Sequence, residues 1–173
     1  SSLVHYEPGF CVHATLLDHQ IPCLAFSLQE RFHVNILKTQ LEELGLSVGP
    51  WLNDFKALLF AGAAPTTEVC APSANTERSL RGFTLEALTS KIVQITRGQK
   101  LAYVSDAVYN SANREKIISL THGADHLFIE AAFLDEDRGI AHSKFHLTAR
   151  QAGLIARTAE VRQMTIYHHS PRY

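Results

Sequence analysis

From residue 83 onward the chain alternates short apolar runs with segments of helical period, and three of the runs end on an ionisable residue. Leu101-Ala102-Tyr103-Val104 leads into Ser105-Asp106, Leu127-Phe128-Ile129 into Glu130, and Met164-Thr165-Ile166-Tyr167 into His168. A strand is expected at 91–96, with a turn at Gly98. A helix is expected at 112–120. Thr148-Ala149-Arg150-Gln151 has the form of a capping box, in which the threonine hydroxyl and the glutamine three residues on satisfy orphan amides at a helix start. Its helix would bury Ala152, Ile155, Ala156 and Ala159. The order β-α-β-α-β predicts an α/β sheet flanked by helices. If the three strands are neighbours running the same way, Asp106, Glu130 and His168 share one sheet edge, where open α/β sheets bind ligands. Carboxylates and imidazole at such an edge suit zinc or another divalent metal. Spacing alone fits equally a set of caps, turn residues and an ordinary histidine.

The earlier part of the chain has two characters. Residues 9–28 read as two strands around a turn, with Phe10, Val12, Ala14 and Leu16 alternating, then Ile21, Cys23, Ala25 and Leu28. His19 lies between them. Residues 35–60 read as a helical hairpin. Leu37, Leu41 and Leu44 have helical spacing, Gly45 is a stop, and Gly49-Pro50 opens a second helix from residue 51 to 60. Residues 61–80 are small, polar and proline-bearing, and are expected to form a mobile loop.

Bulk properties exclude some classes. The 173 residues suffice for one domain with a core, and 46% hydrophobic with 19% charged residues is ordinary for a globular protein. A net charge of -1 gives no global signature for nucleic acid. Charge is uneven, however. Residues 144–173 carry five basic side chains (Lys144, Arg150, Arg157, Arg162, Arg172) against Glu160 alone, an excess that suits phosphate or a solvated face. Cys11, Cys23 and Cys70 are an odd, scattered set without CxxC spacing. That points to a reducing, cytoplasmic setting, with Cys11 and Cys23 read as core residues. No apolar run approaches the roughly 20 residues of a membrane span. The chain opens Ser1-Ser2-Leu3, as a processed or excised piece would.

Particular words in the sequence go further. His146-Leu147-Thr148-Ala149-Arg150-Gln151-Ala152, followed by His168-His169-Ser170-Pro171-Arg172-Tyr173, resembles ribonuclease Z, the tRNA 3′-processing endonuclease of the metallo-β-lactamase superfamily. Other matches keep the family's order. Leu17-Asp18-His19 with Pro22-Cys23-Leu24-Ala25-Phe26 is similar to its third ligand motif and the strand after it. Gly49-Pro50-Trp51-Leu52 is similar to the Gly-Pro element of the arm that grips tRNA. Tyr103-Val104-Ser105-Asp106 resembles the strand carrying a metal-bridging aspartate, and Ile129-Glu130-Ala131-Ala132 the family's His-Glu-Ala-Thr.

The resemblance implies a fold, a reaction and roles. The fold would be the second half of a metallo-β-lactamase αββα sandwich, residues 1–30 and 81–173, with residues 31–80 inserted as a flexible arm. His19 would ligate one zinc, Asp106 bridge two, and His168 ligate the second. His146 would protonate the leaving oxygen, oriented by Glu130, and Gly49 and Pro50 would belong to the arm that holds tRNA. The complete site would hold two zinc ions, or manganese, about 3.5–4 Å apart, in a two-metal hydrolysis. His146 precedes a helix start, whose dipole disfavours a protonated imidazole, so a carboxylate partner would be needed to keep it an acid. The partner would be precursor tRNA, and the family's usual assembly a homodimer.

Several features depart from the family. No His-x-His-x-Asp-His motif occurs, so most ligands of one zinc and the water-activating aspartate are missing. Ala107-Val108 stand for Thr-Gly, Ile129 for histidine and His169 for an aromatic. The resemblance therefore covers a second half, inactive alone, whose complement comes from a longer parent or a second chain. Two other readings stay open: a metallo-β-lactamase-fold hydrolase of another substrate, and a non-catalytic half-domain that binds RNA or a partner.

Overall fold

The computed structural model describes residues 1–74 and 79–173. The chain enters with a meander of β1 (Ser2–Glu7), β2 (Phe10–Leu17) and β3 (Cys23–Glu30). It continues through β4 (Phe32–Ile36), α1 (Lys38–Glu43), α2 (Trp51–Ala61), β5 (Glu68–Pro72), β6 (Leu80–Thr84), α3 (Leu85–Ile92) and β7 (Val93–Arg97). It ends with β8 (Lys100–Val104), α4 (Ser111–Thr121), β9 (His126–Glu130), α5 (Arg138–Ser143), α6 (Ala149–Thr158) and β10 (Met164–Tyr167). These elements form two compact units, residues 1–30 with 99–173, and residues 31–98.

The first unit is built on a six-stranded sheet in the order β1-β2-β3-β8-β9-β10. β8, β9 and β10 are mutually parallel, and β3 runs antiparallel to β8. Register aligns Ala25, Val104, Ile129 and Ile166 in one row across four strands. Asp106 and His168 both lie two residues past that row, and Glu130 lies one past it. β2 is antiparallel to β3, with Leu17 opposite Cys23, so the turn carrying His19 leaves the sheet at the same edge.

Helices cover one face of this sheet. α6 begins with the expected capping box, Thr148 accepting from the Gln151 N–H and the Gln151 side chain accepting from the Thr148 N–H. Ala152, Ile155 and Ala156, at helical spacing, are buried with Ile117 and Leu120 of α4 against Ala102, Val104, Leu127 and Ile129, and Ala159 is buried as well. Each fully buried Ile or Leu there contributes roughly 1.5–3 kcal/mol. The opposite face is open. Leu16 beside Leu24 and Phe26 beside Tyr103 are cross-strand pairs, and all four, with Leu101, are 38–56% exposed.

The second unit pairs β4 with β7 and β5 with β6, both antiparallel, around a core of Leu41, Leu46, Trp51, Leu52, Phe55, Val69, Ala71, Leu85, Leu88 and Ile92. α2 starts after Pro50 and stops at Gly62, whose φ of 67° is left-handed.

Four expectations are corrected. The stretch 61–80 is not one loop: α2 runs to Ala61, and β5 pairs with β6. Val69 and Ala71 point inward with the alternation of a strand, and its small residues hid that pattern. Residues 75–78 of that stretch lie outside the described residues. The unit holding the helical hairpin extends to residue 98 rather than 80, because β4 reaches across to β7. The strand expected at 91–96 starts at Val93, since Leu85, Leu88 and Ile92 form the buried stripe of α3. Cys11 and Cys23 are half-buried, free thiols rather than core residues. No helix among the described residues is long and apolar enough to cross a membrane.

Candidate metal centre

At the sheet edge reached by β2, β8, β9 and β10, three imidazoles surround the carboxylate of Asp106. His168 Nδ1 lies 2.7 Å from Asp106 Oδ1, and His146 Nδ1 4.0 Å from the same oxygen. The other oxygen, Oδ2, faces His19 Nε2 at 3.9 Å. One carboxylate thus presents its two oxygens to histidines from opposite ends of the sequence.

Two of the three histidines are oriented from behind. His19 Nδ1 lies 2.7 Å from the carbonyl oxygen of Phe145. A carbonyl only accepts, so this nitrogen carries the proton, and Nε2 presents its lone pair toward Asp106. His146 Nδ1 lies 3.2 Å from Glu130 Oε1. A ligand or acid histidine held in this way has its tautomer and ring plane set by the partner behind it.

Glu130 is fully buried at the end of β9. Its Oε1 also accepts the N–H of Ala107 at 3.0 Å and of Leu147 at 3.1 Å. These are the residues immediately after Asp106 and His146, so one carboxylate oxygen ties both loops to the strand. Burial pushes the Glu130 carboxyl above the usual range, against the pull of those two N–H groups and of His146. Its Oε2 is buried without a hydrogen-bond partner among the described residues. Burial, then the negative charges of Asp106 and Glu130, raises the nearby Cys23 thiol.

The backbone is strained at this edge. Among the described residues, four non-glycine positions have left-handed φ, and three of them belong here: Gln20 after His19, Phe145 before His146, and His168 itself. Such conformations cost about 1–3 kcal/mol each and persist where the surroundings over-determine them.

The donors fit a divalent cation. One atom each from Asp106, Glu130, His146 and His168 lie within 4.8 Å of one another. Two donors each about 2.1 Å from a shared zinc sit about 3.4 Å apart at the tetrahedral angle. The observed spacings therefore need modest side-chain closure rather than backbone rearrangement. The unpaired Glu130 Oε2 adds buried negative charge that a cation balances.

Other residues singled out from the sequence lie elsewhere or do other work. Gly49 and Pro50 belong to the second unit, where their carbonyls accept the N–H groups of Leu52 and Asn53 at the start of α2. Of the C-terminal basic side chains, Arg150, Arg162 and Arg172 pair with Asp135, Asp125 and Asp137. That leaves less free positive charge than the count implied. Two participants were not foreseen. The Phe145 carbonyl acts through its backbone, which no residue type announces. Asn113, a buried polar residue of α4, bonds through its side chain to the Asp18 backbone beside His19, and its only signal would have been its place on an apolar face.

Similarity to known proteins runs nearly end to end. The ribonuclease Z of Deinococcus radiodurans is 30% identical over 168 residues, covering 96% of this chain and 46% of that protein. That of Synechocystis is 31% identical over 178 residues, covering 100% of this chain and 47% of that protein.

This chain is similar to ribonuclease Z.

It spans about half the length of the ribonuclease Z sequences it matches. No protein-family profile matches it. Among solved structures, the short form of human tRNase Z superposes with a TM-score of 0.54 at 17% identity, over 98% of this chain and 39% of that one. The metallo-β-lactamase-fold protein YhfI of Bacillus subtilis gives 0.50 at 13%, over 98% and 40%. The fold is accordingly part of the metallo-β-lactamase architecture. Of the departures from ribonuclease Z words, those at 107, 108 and 129 fall on buried positions, whereas His169 is exposed. Ala107 and Ile129 are fully buried, and residue 107 serves Glu130 through its backbone N–H.

Proposed function

We propose that this chain is the second half of a ribonuclease Z-type phosphodiesterase, holding part of a two-metal centre that cleaves precursor tRNA at its 3′ side. The observation that carries this reading is Asp106, whose two oxygens face His19 and His168 separately, as a bridging ligand requires. His19 would hold one ion and His168 the second, with zinc the first choice for such an N/O donor set and manganese the alternative. When bound, the pair of ions would supply activated water and stabilise charge on the attacking and leaving oxygens.

The chain's own residues supply the rest. His146 donates Nδ1–H to Glu130, which leaves Nε2 to carry a transferable proton. The bond to Glu130 fixes the tautomer and ring plane of His146. His146 then delivers the proton to the leaving 3′ oxygen, in general acid catalysis. Gly49 and Pro50, opening α2, would belong to the arm that binds tRNA. The remaining ligands would come from the polypeptide that covers the open sheet face of Leu16, Leu24, Phe26, Leu101 and Tyr103.

Metal content per chain by elemental analysis is the first test, on the chain combined with that complementary half. About two ions per chain, lost in His168→Ala together with cleavage of precursor tRNA, is the expected result. A His168→Ala protein with normal metal content and turnover would refute the site. Full metal loading without tRNA cleavage would favour a hydrolase of another phosphodiester.

A further inference from the structure

Asn113 stands in the first turn of α4 and is 1% exposed. Thr121 of the same helix serves its own element, donating to the Ile117 carbonyl one turn back. Asn113 instead joins segments far apart in sequence. Its Oδ1 accepts the Asp18 N–H at 2.9 Å, and its amide nitrogen donates to the Asp18 carbonyl at 2.9 Å. The same nitrogen donates to the Val108 carbonyl at 2.9 Å, while the Val108 N–H donates to the Asp18 carbonyl at 3.0 Å. Both polar groups of the residue before His19 are therefore held, and so is the residue two beyond Asp106.

We infer that Asn113 is the positioning residue that sets the distance between His19 and Asp106, an assignment that rests on the metal reading of those two side chains. The geometry explains why an amide is needed. Both amide hydrogens are used on carbonyls and the oxygen on an N–H, so only a side chain with two donors and an acceptor satisfies the three segments. Aspartate would aim a carboxylate at two carbonyls. Alanine would leave the Asp18 N–H and the Asp18 and Val108 carbonyls without this partner, the last of them buried. The ring end of His19 is fixed separately by the Phe145 carbonyl, so Asn113 locates the backbone while Phe145 sets the ring. Together they leave His19 Nε2 aimed at Asp106 Oδ2 before any ion arrives.

The test uses the isotopically labelled 173-residue chain and needs no turnover. In the wild type, the His19 and His146 rings, 4.8 Å apart between centroids, should show a proton–proton contact, with His19 as the Nδ1–H tautomer. Asn113→Asp should lose that contact and mix the tautomers. The stack of His126 on Phe128, at 4.2 Å on the far side of the sheet edge, should persist. Zinc affinity, measured by competition with a chelator, should fall by about 10–100-fold, as removal of a supporting hydrogen bond does at metal sites. It should fall no further when His19→Ala is added. An Asn113→Asp protein that keeps the ring contact, the single tautomer and the affinity overturns the inference. If that variant does not fold, amide exchange in the wild type decides. An Asp18 N–H protected like the core amides of β2 supports the clamp, and a freely exchanging one refutes it. Where the 173-residue chain needs its complementary half to hold zinc, the ring contact, the tautomer and the Asp18 protection decide Asn113, and metal content of the combined protein decides the metal reading.

Discussion

Glu130 shows how much one buried side chain can determine. Its Oε1 receives Ala107, Leu147 and His146 together. Glu130→Ala would leave two backbone N–H groups buried without that acceptor, at about 1–3 kcal/mol each, so denaturant unfolding should show a loss of at least about 2 kcal/mol. Glu130→Gln keeps an acceptor and should lose less. The pH dependence has a definite sign. Burial raises the Glu130 carboxyl in the folded chain, so the native state binds more protons than the unfolded one between the ordinary glutamate value and the raised one. Stability from this group is present below that window and falls as pH rises through it. Glutamine, a neutral isostere, should therefore compare better with wild type at pH 7 than at pH 4, as read by paired denaturant curves. The ionisable residues of this edge were legible in the sequence because each follows an apolar run and stands in a recognisable word. Asn113 and the Phe145 carbonyl were not, because their roles are hydrogen bonds spanning 95 and 126 residues.

At the scale of elements, α6 depends on its first turn. Thr148 accepts the Gln151 N–H and donates to Asp135 Oδ1. Thr148→Ala removes both bonds and should cost about 1–2 kcal/mol, measured as a shift in the unfolding midpoint. Thr148→Ser should recover most of it. This cap was readable because its parts lie within four residues. α4, β8, β9 and β10 were readable for a similar reason, since period and termini are local. The sequence concealed β5, whose residues Glu-Val-Cys-Ala-Pro have the composition of a loop and become a strand only by pairing with β6. It also concealed β4, which forms its sheet with a strand some sixty residues later.

For the whole molecule, the open sheet face has a direct consequence. Leu16, Leu24, Phe26, Leu101 and Tyr103 form an apolar surface of the kind that marks an interaction site. The isolated chain should bind a hydrophobic dye and associate at high concentration. Phe26→Asp should reduce both, with an unfolding midpoint close to wild type, because residue 26 lies on the face away from the α4 and α6 core. Light scattering and dye fluorescence check this, and an unchanged Phe26→Asp protein would show that the face is not the sticky one. The sequence by itself determined the α/β alternation, the helix caps and the chemistry of the groups at the strand ends, because periodicity, capping and residue type are properties of neighbours along the chain. Only the tertiary structure decided that β8, β9 and β10 run parallel in one register, and that Asp106 divides its oxygens between His19 and His168. It alone decided that Asn113 and Phe145 hold His19 in place. Those facts depend on hydrogen bonds between segments that the backbone brings together only once the sheet has formed.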